Sequence, residues 1–136
     1  MKSKSLLLLN IIGIAILFLM QACGDSKSSF RKVLVQASEE VNKQCPITVD
    51  AETRLDNTTI VGDDIFQYNY TFILDEKETL DTVELKEFMI PIATKQLKSP
   101  SLESLRKHKT IFTYLYNDKN NAYALSFSIT PEMYNK

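Results

Sequence analysis

Four charged residues, Asp50, Glu52, Arg54 and Asp56, recur at every second position between Val49 and Asn57. In an extended strand alternate side chains point the same way, so this spacing sets three carboxylates and one guanidinium on a shared face. Such a row could pair within itself, receive a cationic or polar partner, or supply an acid and a base. General acid–base work usually needs carboxylates on opposing walls of a cleft, which one strand does not provide. Solvent-side ion pairs are the simplest reading, a partner-binding surface the next, catalysis the last. Cys45 and His108 are the other reactive side chains of the region after Ser28. One thiol and one imidazole do not complete a tetrahedral zinc site without carboxylates, and Cys45 directly precedes Pro46, where a small apolar side chain packs well. His108 lies in the basic run Arg106-Lys107-His108-Lys109 and reads as a solvated surface residue. No metal and no cofactor is expected. With glycines at positions 13, 24 and 62 alone, a glycine-rich phosphate loop is excluded.

The N-terminal segment carries the strongest signal. Lys2 and Lys4 precede an apolar run, Leu6–Met20, interrupted by Asn10 and Gly13, after which Gln21-Ala22-Cys23-Gly24-Asp25 ends the hydrophobicity. A positive start, an apolar middle and a small residue before a cut describe a secretory signal peptide. A bilayer core of about 30 Å needs about 20 apolar residues, and this run is shorter, so a leader over residues 1–22 is favoured over a membrane span. The cut site resembles the bacterial lipobox, in which a small residue precedes a cysteine that receives lipid. Ala22 and Cys23 fit it, whereas Met20 and Gln21 stand where Leu and a small residue are usual. Lipid on Cys23 would hold the chain on a bilayer, each buried methylene contributing about 0.8 kcal/mol. Loss of Lys2 and Lys4 with the leader would take the formal net charge from −1 to −3. That mild, mixed balance leaves no basic stripe for nucleic acid. Once Cys23 is acylated, Cys45 has no partner for an internal disulfide.

Beyond a polar tether over 23–28, periodicity defines the elements of one domain over 29–136. Phe30, Val33, Leu34, Ala37 and Val41 form a helical stripe, predicting a helix over 29–44 that Pro46 ends. Thr48–Val61, the turn Gly62-Asp63-Asp64 and Ile65–Leu74 predict a hairpin, with Phe66, Tyr68, Tyr70, Phe72 and Leu74 on its inward face. Asp81 and Glu84 are spaced as a capping box. They open a second helix whose stripe is Leu85, Phe88, Met89 and Ile92, with a kink or an interruption expected near Glu87–Pro91. Ser99-Pro100 starts a short helix ending near Arg106. Ile111–Tyr116 and Tyr123–Ile129 alternate around an Asn/Asp-rich turn, predicting a second hairpin. The order α-β-β-α-(α)-β-β implies an α+β fold: a two-layer sandwich with a four-stranded antiparallel sheet of two hairpins and two main helices on one face. The aromatic rows read as core. The sequons at Asn57 and Asn69 carry no weight behind a bacterial leader.

The run from Val41 to Asp56, which contains N-K-x-x-P-x-x-V-D-x-x-T-R-L-D, is followed by Tyr68-Asn69-Tyr70-Thr71. Together they resemble a family of small exported bacterial proteins and lipoproteins of uncharacterised role. The resemblance implies an envelope protein with a helix-hairpin start and brings no activity with it. Many members of that family carry two further cysteines, where this chain has Lys98-Ser99-Pro100 and Met133-Tyr134, so a disulfide between those regions is ruled out here.

These readings lead to a lipid-anchored, non-enzymatic interaction or accessory module of the bacterial envelope, with the outer membrane as the expected location. Its expected partners are the lipid bilayer, through Cys23, and an envelope protein. The alternative is a small-ligand or lipid-binding carrier, and an enzyme ranks third. A carrier requires an apolar pocket between the layers, an interaction module an exposed patch or open strand edge.

Overall fold

A computed structural model describes residues 26–136. The predicted leader, its cleavage site and Cys23 lie outside the described residues. Arg31–Lys136 form a compact unit of their own.

Helix α1 spans Ser26–Asn42. Within Arg31–Asn42 its buried residues are Leu34 and Ser38, while Val33, expected in the apolar stripe, is 42% exposed. Strand β1, Ile47–Thr48, is short, and the turn after it leads into β2, Thr53–Val61. Gly62 adopts φ +63° in the tight turn to β3, Ile65–Phe72, a conformation that favours glycine. The Asp81 carboxylate caps the next helix, α2 (Thr82–Leu97), by accepting from the N–H groups of Val83 and Glu84 at 3.1 and 3.0 Å. The helix runs through Pro91, which is exposed, as one element, so of the expected kink or interruption the interruption is absent. A 3-10 turn over Pro100–Leu102 leads into the short α3, Glu103–Lys107. The Arg106 guanidinium donates to the carbonyl oxygens of Leu97 and Ser99, satisfying groups left open at the end of α2. Strands β4 (Ile111–Asn117) and β5 (Tyr123–Ile129) form the second hairpin. A last turn of helix, α4 (Pro131–Tyr134), brings the Tyr134 hydroxyl to the Thr110 carbonyl at 2.9 Å.

The sheet order is β1-β2-β3-β4-β5. Both predicted hairpins are present and antiparallel. The sheet is nevertheless mixed and five-stranded rather than antiparallel and four-stranded, because β3 and β4 pair in parallel. The reason lies in the connection. Residues 73–110 contain α2 and return the chain to the end of the sheet where β3 began, so β4 must run the same way as β3. The fifth strand arises because the predicted first strand is two: β1 folds back on β2, pairing Ile47 with Leu55 and Thr48 with Arg54.

Both main helices lie on the aromatic side of the sheet. Leu34, Phe66, Phe112, Leu125, Ile129 and Leu97 are all but sealed from solvent. The helix α2 is seated by its C-terminal half. Its buried residues are Ala93 and Leu97, whereas Phe88 is 67% and Ile92 43% exposed. The stripe Leu85-Phe88-Met89-Ile92, expected in the core, instead borders an open groove.

Candidate groove for a partner segment

The parallel register puts Tyr68 beside Tyr114 and Tyr70 beside Tyr116. Side chains of like parity project to one face, so their rings pack across the strands in offset stacks. Ring centroids lie 5.2 Å apart for Tyr68–Tyr114, 4.8 Å for Tyr70–Tyr116 and 4.9 Å for Phe72–Tyr116. Phe127 of β5 extends the array, 5.1 Å from Tyr114 with 12° between planes. Tyr70, Phe72, Tyr114, Tyr116 and Phe127 of this ladder form the floor of a cavity of about 560 Å³.

One wall is the exposed flank of α2, from Leu85 through Phe88, Met89 and Ile92 to Gln96. These positions recur at intervals of three and four, so they stack along one helix face for about 16 Å. The other wall is the turn Val49–Thr53. That turn is held by its own hydrogen bonds. The Glu52 N–H donates to Asp50 Oδ1 at 2.8 Å, the Val49 N–H to the Thr53 carbonyl at 2.9 Å, and the Ile73 N–H to the Glu52 carbonyl at 2.8 Å. An exposed apolar helix flank facing a tyrosine floor is a surface that water covers poorly, and it is suited to an amphipathic segment.

The floor carries polar tips. Burial pushes the Tyr70 and Tyr114 phenols of the floor well above the usual tyrosine range, and the Tyr68 phenol beside them up to about 12. Tyr116 is also pushed up to about 12, first by burial and then by the negative charge of Asp50. All four therefore stay neutral at any physiological pH and keep an O–H to donate. Among the described residues, the tyrosine hydroxyls engaged within the protein are those of Tyr123 and Tyr134, neither of which lines the groove.

The four predicted site residues are not on one face. The extended strand begins at Thr53, so Asp50 and Glu52 sit in the turn before it and reach the groove rim, while Arg54 and Asp56 belong to β2. Arg54 Nε lies 2.5 Å from Asp56 Oδ1, and Thr71 Oγ1 donates to Asp56 Oδ2 at 2.5 Å. By alternation with Leu55, Tyr70 and Phe72, this Arg54-Asp56-Thr71 set projects from the side of the sheet away from the helices. The three side chains satisfy one another. Cys45 is half-buried, and its thiol is pushed up by burial and then by Asp56, which keeps it protonated and a poor nucleophile. His108 is exposed, its Nδ1 2.8 Å from the Ser104 carbonyl at the end of α3. Among the described residues no group of three or more His, Cys, Asp or Glu is arranged to hold a metal ion, and no helix is long and apolar enough to cross a membrane.

The groove wall was missed because its residues were assigned to the core. A signal was available: α2 carries Val83, Leu85, Phe88, Ile90, Ile92 and Leu97, more apolar positions than one buried face needs.

Solved structures share this fold at low identity. A candidate secreted protein of Pseudomonas aeruginosa matches with a TM-score of 0.67 at 12% identity, over 81% of this chain and 97% of that one. The pilotin EpsS of the Vibrio vulnificus type 2 secretion system matches with 0.64 at 8% identity, over 79% and 94%. The type II secretion system pilotin AspS of Vibrio cholerae matches with 0.60 at 9%, also over 79% and 94%. No curated protein matches the sequence. Residues 28–126 match the model of a domain of unknown function, DUF8479, and the chain belongs to that family.

Proposed function

We propose that this protein is a non-enzymatic accessory module of the bacterial cell envelope, held on a membrane by lipid at Cys23, that works by docking a helical segment of a partner protein in the groove between α2 and the Val49–Thr53 turn. The observation that carries the reading is the exposure of Phe88 and Ile92 opposite the Tyr70–Tyr116 floor. A folded domain leaves such large side chains in water at helical spacing where a partner covers them. The fold shared with pilotins of type II secretion systems supports an accessory role in secretion. The apolar run Leu6–Met20 ahead of Ala22-Cys23 supports the anchor. A carrier for lipid is the competing reading. It fits less well, because this cleft is bordered by exposed side chains rather than closed over, and its floor presents tyrosine hydroxyls that an acyl chain would leave unpaired.

Native mass spectrometry of the full chain, isolated with its membrane from the source cell, tests the reading. A stoichiometric protein complex that is lost in Phe88→Glu and kept in Thr113→Glu, on the opposite side of the sheet, is the expected result. A bound lipid in place of a protein assigns the groove to the carrier reading.

A further inference from the structure

Resting on the docking reading, we infer that the groove selects a basic amphipathic segment, with apolar residues for the α2 flank and the tyrosine floor, and Lys or Arg for the rim. The charged residues lining the groove are Asp50 and Glu52, both acidic. A second cavity, of about 400 Å³, adjoins the first by sharing Leu85 and Phe88, and its charged residues are Asp81 and Glu84. The continuous apolar path around Phe88 is therefore edged by four carboxylates and, among the described residues that line it, by no cation. None of these four carboxylates is neutralised by an ion pair among the described residues. Among the described residues Glu40, Asp56, Asp63, Glu76, Glu78 and Glu103 face a Lys or Arg within 4 Å, whereas Asp50, Glu52, Asp81 and Glu84, like the exposed acids Glu39, Asp64, Glu87 and Glu132, do not. Asp81 caps α2 through Oδ1 alone.

The arrangement has a physical consequence. Unpaired carboxylates around an apolar cleft repel an acidic helix and attract a basic one, so charge sets which amphipathic segments enter while apolar contact holds them. Lysine and arginine stems also suit this rim, since their methylenes cover apolar surface while the charged head stays in water beside Asp50 and Glu52. The neutral tyrosine hydroxyls of the floor add donors and acceptors at the depth where such a segment's polar atoms would arrive.

The probes are two synthetic, fluorescein-labelled 18-residue helices with the same leucine face, one carrying lysine and the other glutamate on the polar face. Each is titrated by fluorescence anisotropy against the full chain in neutral detergent, with Ile92→Glu as the blank for micelle uptake. The lysine peptide is expected to bind the wild type roughly tenfold more tightly than the glutamate peptide at low salt, the gap narrowing as added salt screens the rim. The double variant Asp50→Lys, Glu52→Lys is expected to reverse the preference. Equal binding of the two peptides, or a preference the double variant leaves unchanged, overturns the charge inference while leaving the docking reading intact. Binding of both peptides to wild type and Ile92→Glu alike overturns the docking reading itself. A copurifying lipid that neither peptide displaces, or a dimer of the chain that Ile92→Glu dissociates, assigns the groove to another occupant and overturns both.

Discussion

The side chain of Asn42 pairs with the backbone of Thr58 as a neighbouring strand would. Asn42 Nδ2 donates to the Thr58 carbonyl at 2.9 Å, and its Oδ1 accepts from the Thr58 N–H at 2.6 Å. The contact answers a need of the sheet. β1 covers β2 only at Arg54 and Leu55, leaving the outer edge beyond them open to pairing with another chain. Ser38 completes the closure by hydrogen-bonding the 2%-exposed Thr58, with 2.8 Å between hydroxyl oxygens.

Replacing Asn42 with Ala strands the N–H of the buried Thr58, while the Thr58 carbonyl keeps the Ser38 hydroxyl at 3.1 Å. The expected cost is about 1–3 kcal/mol of stability, read from the urea midpoint. Amide exchange at Thr58 should rise more than at Tyr114, in the middle of the sheet.

Two residues of α2 separate core from groove. Leu97 is 1% exposed, and Leu97→Ala should cost about 2–5 kcal/mol by opening a cavity. Phe88→Ala should change stability by less than about 0.5 kcal/mol, because that ring already stands in water. Equal destabilisation in chemical denaturation would mean that Phe88 belongs to the core.

Asp118 is expected to contribute to acid sensitivity. Its carboxylate is 2% exposed and accepts the N–H groups of Ala122 at 2.8 Å, Asn120 at 2.9 Å and Lys77 at 3.2 Å. The Ala122 bond foremost, with the Lys77 and Asn120 bonds, holds its pKa below the usual aspartate range. A depressed folded-state pKa means stability that is fully present above the unfolded value of about 3.9 and is lost as pH falls through the lower, folded value. The urea midpoint should therefore drop on acidification below about pH 4. Asp118→Ala should be less stable at neutral pH and show a shallower acid slope; an unchanged slope would remove Asp118 from that role.

Anchoring has its own test. Cys23→Ser should move the protein from the membrane pellet to the soluble fraction after cell lysis. Retention in the membrane would contradict the lipid anchor.

Much of this architecture was legible because alternation reports faces. The run Phe66–Phe72 marks one side of a strand whatever lies beside it, and Gly62 marks the turn. Alternation does not report neighbours, so the parallel contact between Tyr70 and Tyr116, which builds the groove floor, could not be read from either strand alone. The row Asp50–Asp56 failed differently. Its period of two assumes a continuous strand, and the turn over 49–52 breaks that continuity, sending Asp50 and Glu52 to the groove and Arg54 and Asp56 to the other side. On α2, periodicity identified an apolar flank but not whether its cover comes from this chain.

The most direct measurement is photo-crosslinking in intact cells from the side chain of residue 88. With Phe88→p-benzoylphenylalanine, irradiation should give one protein adduct that maps to an apolar helical segment and disappears when Ile92→Glu is added. The same probe at Thr113 should give none. Adducts only with lipid, or equal labelling from both positions, would contradict a groove built for a partner protein.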